Sequence, residues 1–142
     1  IIDKYEKDIV TVKAQLADSE KAFKAMDEKN FELSHFSIDR NEDALSYFEA
    51  QGYDTDELIP AIIEGLYNMN DYEGDEHPIV PYVSTTGSKL LINKVRLMNH
   101  KWIVANFTDG QFWGEIFVTY SIDENNDLKY KLVEYFLYPT IN

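Results

Sequence analysis

The stretch that decides the fold is K-V-R-L-M-N-H-K-W-I-V-A-N-F-T-D-G-Q-F-W-G-E-I-F-V-T-Y-S-I, residues 94 to 122. Apolar and polar residues alternate along it, which is the period of a half-buried β-strand. Three two-residue turn signals separate the alternating segments: Asn99-His100, Asp109-Gly110 and Asn125-Asn126. The pattern predicts an antiparallel meander with strands over roughly 89 to 98, 101 to 108, 111 to 122 and 127 to 138.

The residues before this stretch carry helical signals. Spacings of three and four residues place one stripe along a long first helix: Ile2, Tyr5, Ile9, Val12, Leu16, Ser19, Phe23 and Met26. Asn30 is expected to end this helix. We expect the stripe to pack on the domain's own core. Its seven-residue repeat also suits a coiled-coil partner, so the chain is predicted to be a monomer or a dimer through this helix.

Two shorter helices are predicted next. Asp39 or Asn41 caps the first of them, which ends at Gly52. Asp54 and Glu57 have the spacing of a capping box and begin the second.

The predicted fold class is α+β, with the long helix and the two-helix segment packed on one face of a four- to five-stranded antiparallel meander. Residues 79 to 84 are the candidate fifth strand, at an edge where two prolines discourage further pairing. One domain over 1 to 142 is expected, with a helical layer (1 to 70), an acidic loop (71 to 80) and the sheet (81 to 142). In layout alone this resembles the cone-shaped nuclear-transport-factor-like and cystatin-like folds.

The turn signals predict which side chains share a face of the sheet. Two-residue turns set Leu97 opposite Trp102, Trp102 opposite Phe117 and Phe117 opposite Glu134. The aromatic side is expected to face the helices. The other side is expected to carry Ile103, Ile116, Val133 and Tyr135. It also receives five of the six Lys and Arg residues between 81 and 142: Lys94, Arg96, Lys101, Lys129 and Lys131.

Polar residues among the aromatic ones define a candidate ligand pocket. Glu115 and Glu134 are diagonal neighbours in the predicted register, so their carboxylates come within reach of one ligand. Buried acids without partners acquire raised pKa values, which suit acid/base work of the isomerase or dehydratase type. The alternative is that hydrogen bonds or solvent satisfy them. The other candidate pocket residues are Asn93, Trp102, Asn106, Trp113 and Tyr138.

The charge of the chain, −13 overall, is concentrated in one segment. Residues 41 to 80 contain eleven acids and no Lys or Arg. Such a segment repels nucleic acids and anionic lipid surfaces, so neither is an expected partner, and no apolar run is long enough for a membrane span. A basic protein surface is the expected partner, or a small apolar ligand for the pocket. The candidate partner contacts are Asp71, Glu73, Asp75 and Glu76.

No motif indicates a metal or a cofactor. The stretch Asn70 to Pro78 contains four carboxylates and His77, but it lacks the spacing of a calcium loop, and residues 123 to 134 match such a loop only in part. Neither His35 nor His100 has an Asp and a Ser or Thr that the sequence pattern would bring beside it as a catalytic triad. The chain has no cysteine and no glycine-rich phosphate loop.

The sequence therefore ranks a non-enzymatic interaction module above a ligand-binding pocket, and that pocket above an enzyme. The compartment is left open: a chain near full length would be cytoplasmic, and one that had lost an N-terminal signal would be secreted or periplasmic.

Overall fold

The computed structural model describes residues 2 to 139, apart from the side chain of residue 2. Within them, three α-helices precede a four-stranded antiparallel sheet in the order β1-β2-β3-β4, which confirms the predicted α+β class and meander. The helices are α1 Ile2–Leu33, α2 Glu42–Ala50 and α3 Thr55–Asn68, with a 3-10 turn at Ile38–Arg40 before α2. The strands are β1 Leu91–Leu97, β2 Trp102–Thr108, β3 Trp113–Ile122 and β4 Leu128–Leu137.

The chain divides into two compact units, Ile1–His35 and Phe36–Asn142. The first consists of α1, whose stripe residues from Tyr5 to Met26 are exposed, although we expected them to pack on the domain's own core. The helix also continues three residues past the predicted end at Asn30. The prediction of a single domain over 1 to 142 stays a prediction.

The two short helices begin at predicted caps. The side chain of Asn41 accepts a hydrogen bond from the Ala44 N–H at 3.0 Å, and that of Asp54 accepts one from the Asp56 N–H at 3.0 Å. These oxygens satisfy N–H groups that the first turn of a helix leaves without partners. Asp39, the other candidate cap, lies in the 3-10 turn instead.

The candidate edge strand over 79 to 84 does not form, so the sheet has four strands within residues 2 to 139. Pro78 and Pro81 have no N–H to donate to a ladder. The segment instead packs as an irregular connection, with Ile79 and Val80 buried in the core.

The connection between β1 and β2 differs from the predicted two-residue turn. Leu97 pairs with Ile103, and the Met98 N–H donates to the Trp102 carbonyl at 2.9 Å, which leaves a three-residue loop from Asn99 to Lys101. Side chains alternate between the two faces of a strand, so one extra loop residue swaps the faces of β2 relative to β1. Ile103, and not Trp102, therefore lies on the same face as Leu97.

The other two reversals also differ from prediction. The β2–β3 register is displaced by two residues, so Asn106 pairs with Glu115. Because a shift of two residues leaves every side chain on its face, the side chains predicted to share a face still do. The β3–β4 reversal has three residues, because the Asp123 N–H donates to the Asp127 carbonyl at 2.9 Å. A bulge at Val133 then restores the predicted pairing of Phe117 with Glu134.

The expectation that the aromatic side of the sheet faces the helices is consequently wrong. The buried side, here called the inner face, carries Ile92, Leu97, Ile103, Ala105, Phe107, Ile116, Val118 and Tyr120. From the helices, Ala44, Phe48, Ile62 and Leu66 complete this core. Two further contacts tie the layers together: the Tyr130 hydroxyl donates to the Ile62 carbonyl at 2.6 Å, and the rings of Phe48 and Tyr120 lie 6.4 Å apart.

Close packing at Gly114 leads to a testable expectation. A Cβ at this position would collide with the carbonyl oxygen of Phe136 and the ring of Phe107. Backbone of a paired strand cannot yield easily, so Gly114→Ala is expected to lower the free energy of unfolding by about 3 kcal/mol, measured by urea denaturation.

Gly65→Ala serves as the comparison. Its added methyl meets the hydroxyl end of the Tyr130 side chain, which can move at the cost of its hydrogen bond to Ile62, about 1 kcal/mol. Alanine also favours a helix over glycine, so the loss is expected to be smaller. Equal stability of Gly114→Ala and the wild type would contradict the described packing of β3 against β4.

Candidate functional site

The candidate site is the side of the sheet that α2 and α3 leave uncovered. This outer face consists of rows of side chains that are neighbours across the four strands, with aromatic rings near the ends of the strands. One row is Lys94, Asn106, Glu115 and Phe136. A second is Arg96, Val104, Phe117 and Glu134. A third row is Trp102, Thr119 and Lys131, followed by Ser121 with Lys129. Trp113 and Tyr138 lie at the other end of the face.

Large aromatic side chains on the outer face are open to solvent. The exposed fractions are 46% for Trp102, 52% for Trp113, 44% for Phe136 and 38% for Tyr138. Their rings also contact one another: the centroids of Trp113 and Tyr138 are 5.8 Å apart, and those of Phe136 and Tyr138 are 4.9 Å apart. The ring of Trp102 lies 5.7 Å from that of Phe117. The result is a grouped aromatic surface rather than scattered exposed residues.

The two glutamates are diagonal neighbours, as predicted, since Glu115 pairs with Phe136 and Phe117 with Glu134. They are not in a core: Glu115 is half-buried and Glu134 is exposed. The Tyr138 hydroxyl donates to Glu115 Oε2 at 3.1 Å, and this bond is the main cause that raises the pKa of Tyr138. Glu134 Oε1 accepts from the Tyr135 N–H at 3.0 Å. The structure thus gives each carboxylate a hydrogen-bond donor.

Two hollows lie on this face. The smaller, about 200 Å³, is lined by both glutamates together with Val104, Phe117 and Phe136. The larger is a groove of about 550 Å³ along β1, which extends toward Tyr67 of α3. Lys94, Arg96, Asn106 and Glu115 supply its polar groups. The groove therefore brings two cations and one carboxylate beside apolar walls.

Most predicted pocket residues come together here, and one does not. Trp102, Asn106, Glu115 and Glu134 share the outer face, whereas Asn93 is the extra residue of a bulge in β1. Sequence reasoning placed Lys94, Arg96, Lys129 and Lys131 opposite the aromatic side, but all four lie on the outer face with it. It therefore missed Lys94 and Arg96 as site residues. A signal for the correct side existed: within strands β2 and β3, the buried positions include no charged or amide side chain.

The acidic segment lies elsewhere in the second unit. All eleven acids between residues 41 and 80 are exposed, including the predicted contacts Asp71, Glu73, Asp75 and Glu76. Seven of them precede residue 65, on α2, α3 and the cap of α3. The sheet is therefore covered on its inner side by helices with an acidic solvent surface.

His77 is buried and has a structural role. Its Nδ1 accepts hydrogen bonds from the N–H groups of Ile79 and Val80, at 3.1 and 3.2 Å. Its Nε2 lies 3.1 Å from Asn70 Oδ1, which also accepts from the Ile92 N–H at 2.7 Å. A neutral imidazole fits this arrangement, with Nε2–H as donor and Nδ1 as acceptor. His77 thus fastens the acidic loop to β1.

Asp123 and His100 lie in the reversals between strands. Asp123 Oδ1 accepts from the N–H groups of Asn125 and Asp127, which makes it a turn residue, and the His100 ring lies 4.5 Å from that of Tyr47. Across residues 2 to 139, no three His, Asp or Glu side chains converge as a metal site would require. In the same range, no helix has an apolar stretch that could cross a membrane.

Comparison of the chain with known protein families, curated proteins and solved structures finds no match.

The role of His77 leads to a prediction about pH. Burial lowers the pKa of its imidazole, so the unfolded chain takes up a proton more readily than the folded one. Stability that is fully present above the ordinary histidine pKa, about 6.5, is therefore lost as pH falls below it. Chemical denaturation between about pH 7.5 and pH 5 measures this loss.

Two variants separate the hydrogen bonds of His77 from its titration. His77→Ala leaves two buried N–H groups without an acceptor and is expected to cost about 1 to 3 kcal/mol. His77→Asn offers an oxygen to the same N–H groups, so the loss is expected to be smaller and the pH dependence weaker than in the wild type. An equal pH dependence in wild type and His77→Asn would contradict the structural role.

Proposed function

We propose that this protein is a non-enzymatic interaction module that binds another protein through the outer face of its sheet. The observation that carries the proposal is the group of exposed aromatic side chains, above all Trp102 and Trp113. Folded domains rarely expose such groups without a binding role, and aromatic residues dominate the binding energy at protein interfaces.

The polar groups around the rings support a protein partner. Lys94 and Arg96 lie on β1, at one side of the face, and Glu115 and Glu134 lie on β3 and β4, toward the other. Aromatic residues and arginine are the side chains enriched at protein interfaces, and this face has both. The partner that fits presents apolar side chains for the aromatic groups and acids toward Lys94 and Arg96 on β1.

The geometry gives less support to the acid/base alternative. Catalytic carboxylates need a site that excludes water, so that burial can tune their proton affinity. Glu134 is exposed, and the hollow between the two glutamates, about 200 Å³, is smaller than most small-molecule pockets. The larger groove along β1 suits the insertion of a partner side chain beside Lys94 and Arg96.

The acidic segment supports a separate contribution to binding. Its eleven exposed acids, seven of them on the helical side of the second unit, create a strongly negative field, and such a field speeds the approach of a basic protein surface. The partner is thus expected to be basic outside the region that meets the outer face.

Truncation of the tryptophans tests the binding surface. A partner is captured from the protein's native source, purified, and titrated by calorimetry against each variant. Trp113→Ala and Trp102→Ala are each expected to raise Kd by about 30-fold, because loss of an interface tryptophan typically costs about 2 kcal/mol.

Tyr47→Ala is the matched control. Tyr47 is 47% exposed, much like Trp102, but it lies on α2, outside the outer face, so its removal should leave Kd nearly unchanged. Unchanged affinity in both tryptophan variants, with folding intact by circular dichroism, would overturn the proposal.

The acidic segment has its own test with the same partner. Replacement of Asp71, Glu73, Asp75 and Glu76 by their amides is expected to slow association several-fold and to weaken its dependence on salt, while the dissociation rate changes little. Stopped-flow measurements at two ionic strengths supply these rates. An association rate equal to that of the wild type at low salt would contradict the steering role.

A further inference from the structure

We infer that α1 pairs with α1 of a second copy of this chain as a parallel, in-register, two-stranded coiled coil. The inference does not depend on the outer face, since every residue it uses lies in the first unit. It rests on the length of α1, on the exposure of its stripe and on the positions of its polar residues.

The helix is longer than the sequence pattern alone predicted, and the extra turn continues the repeat. Running to Leu33, α1 has 32 residues, or about 48 Å at 1.5 Å per residue. Its heptad a positions are Ile2, Ile9, Leu16, Phe23 and Asn30, and its d positions are Tyr5, Val12, Ser19, Met26 and Leu33. The repeat thus spans more than four heptads, the length at which heptads become a strong coiled-coil signal.

The seam formed by these positions is exposed. Each large apolar residue on it from Tyr5 to Leu33 is more than half accessible. A single helix gains little from such a stripe, because most helical stability comes from packing of an apolar face. The seam has the period of 3.5 residues that a left-handed coiled coil requires.

Two polar residues in the seam favour an identical, parallel partner. Asn30 at an a position meets Asn30 of the other copy in this arrangement, and Ser19 meets Ser19, so polar groups face polar groups. In the antiparallel alignment that overlaps the full seam, Asn30 would face Tyr5 and Ser19 would face Leu16. A single Asn at an a position is a known determinant of register.

The flanking charges agree with this arrangement. Asp8 is at a g position and Lys13 at the following e position, so the two form opposite-charge pairs across a parallel dimer. The next two g and e pairings are Gln15 with Glu20 and Ala22 with Asp27, and neither sets like charges against each other. The parallel seam therefore meets no electrostatic penalty from these positions.

Cysteine cross-linking tests the geometry directly, since the chain has no native cysteine. Ser19→Cys places a thiol on the seam, and Ala14→Cys places one at an f position, on the far side of the helix. In a glutathione redox buffer, Ser19→Cys is expected to form a covalent dimer of twice 16.6 kDa, whereas Ala14→Cys stays a monomer.

Sedimentation equilibrium tests the association without any cross-link. The wild type is expected at twice 16.6 kDa, and Leu16→Lys at 16.6 kDa, because a lysine at this a position puts charge into the seam. Ala14→Lys adds the same charge outside the seam and should remain dimeric. A monomeric wild type, equal cross-linking at both positions, or no cross-link at Ser19→Cys would each overturn the inference.

Discussion

The loop between β1 and β2 determines which side chains of these two strands share the core. Asn99 holds it: its side-chain oxygen accepts from the N–H groups of Lys101 and Trp102, both at 2.8 Å. Its backbone carbonyl accepts from the Tyr120 hydroxyl at 2.6 Å. With three residues in this loop rather than two, β2 presents Ile103 to the helices and Trp102 to solvent. This pairing puts Leu97 and Ile103 together in the core and Arg96 and Val104 together on the outer face.

The inner face suits helices for a physical reason. Gly114 leaves room for the ring of Phe107, and the β-branched residues Ile103, Ile116 and Val118 fill the inner face with few accessible rotamers. The aromatic side includes Asn106 and Glu115, whose burial would need further hydrogen-bond partners. Exposure of the tryptophans is thus the consequence of burying the face of β2 and β3 that has no charged or amide side chain.

Much of the fold could be predicted from local signals, and the faces of the middle strands could not. The caps at Asn41 and Asp54 and the number of strands in the meander depend on a few adjacent residues, which sequence displays. The faces depend on whether a reversal has two or three residues, and Asn99-His100 suits either. The bulge at Val133 has no comparable local signal. The diagonal position of the two glutamates was predicted correctly only because that bulge offsets the longer third loop.

The central claim is that β2 and β3 turn their aromatic side to solvent, and the two tryptophans of the chain, Trp102 and Trp113, report on it without any mutation. The decisive measurement is the quenching of tryptophan fluorescence by acrylamide and by iodide. The account predicts emission close in wavelength to that of free tryptophan, with both quenchers reaching both rings. Blue-shifted emission that resists both quenchers would place the tryptophans in the core and contradict the account.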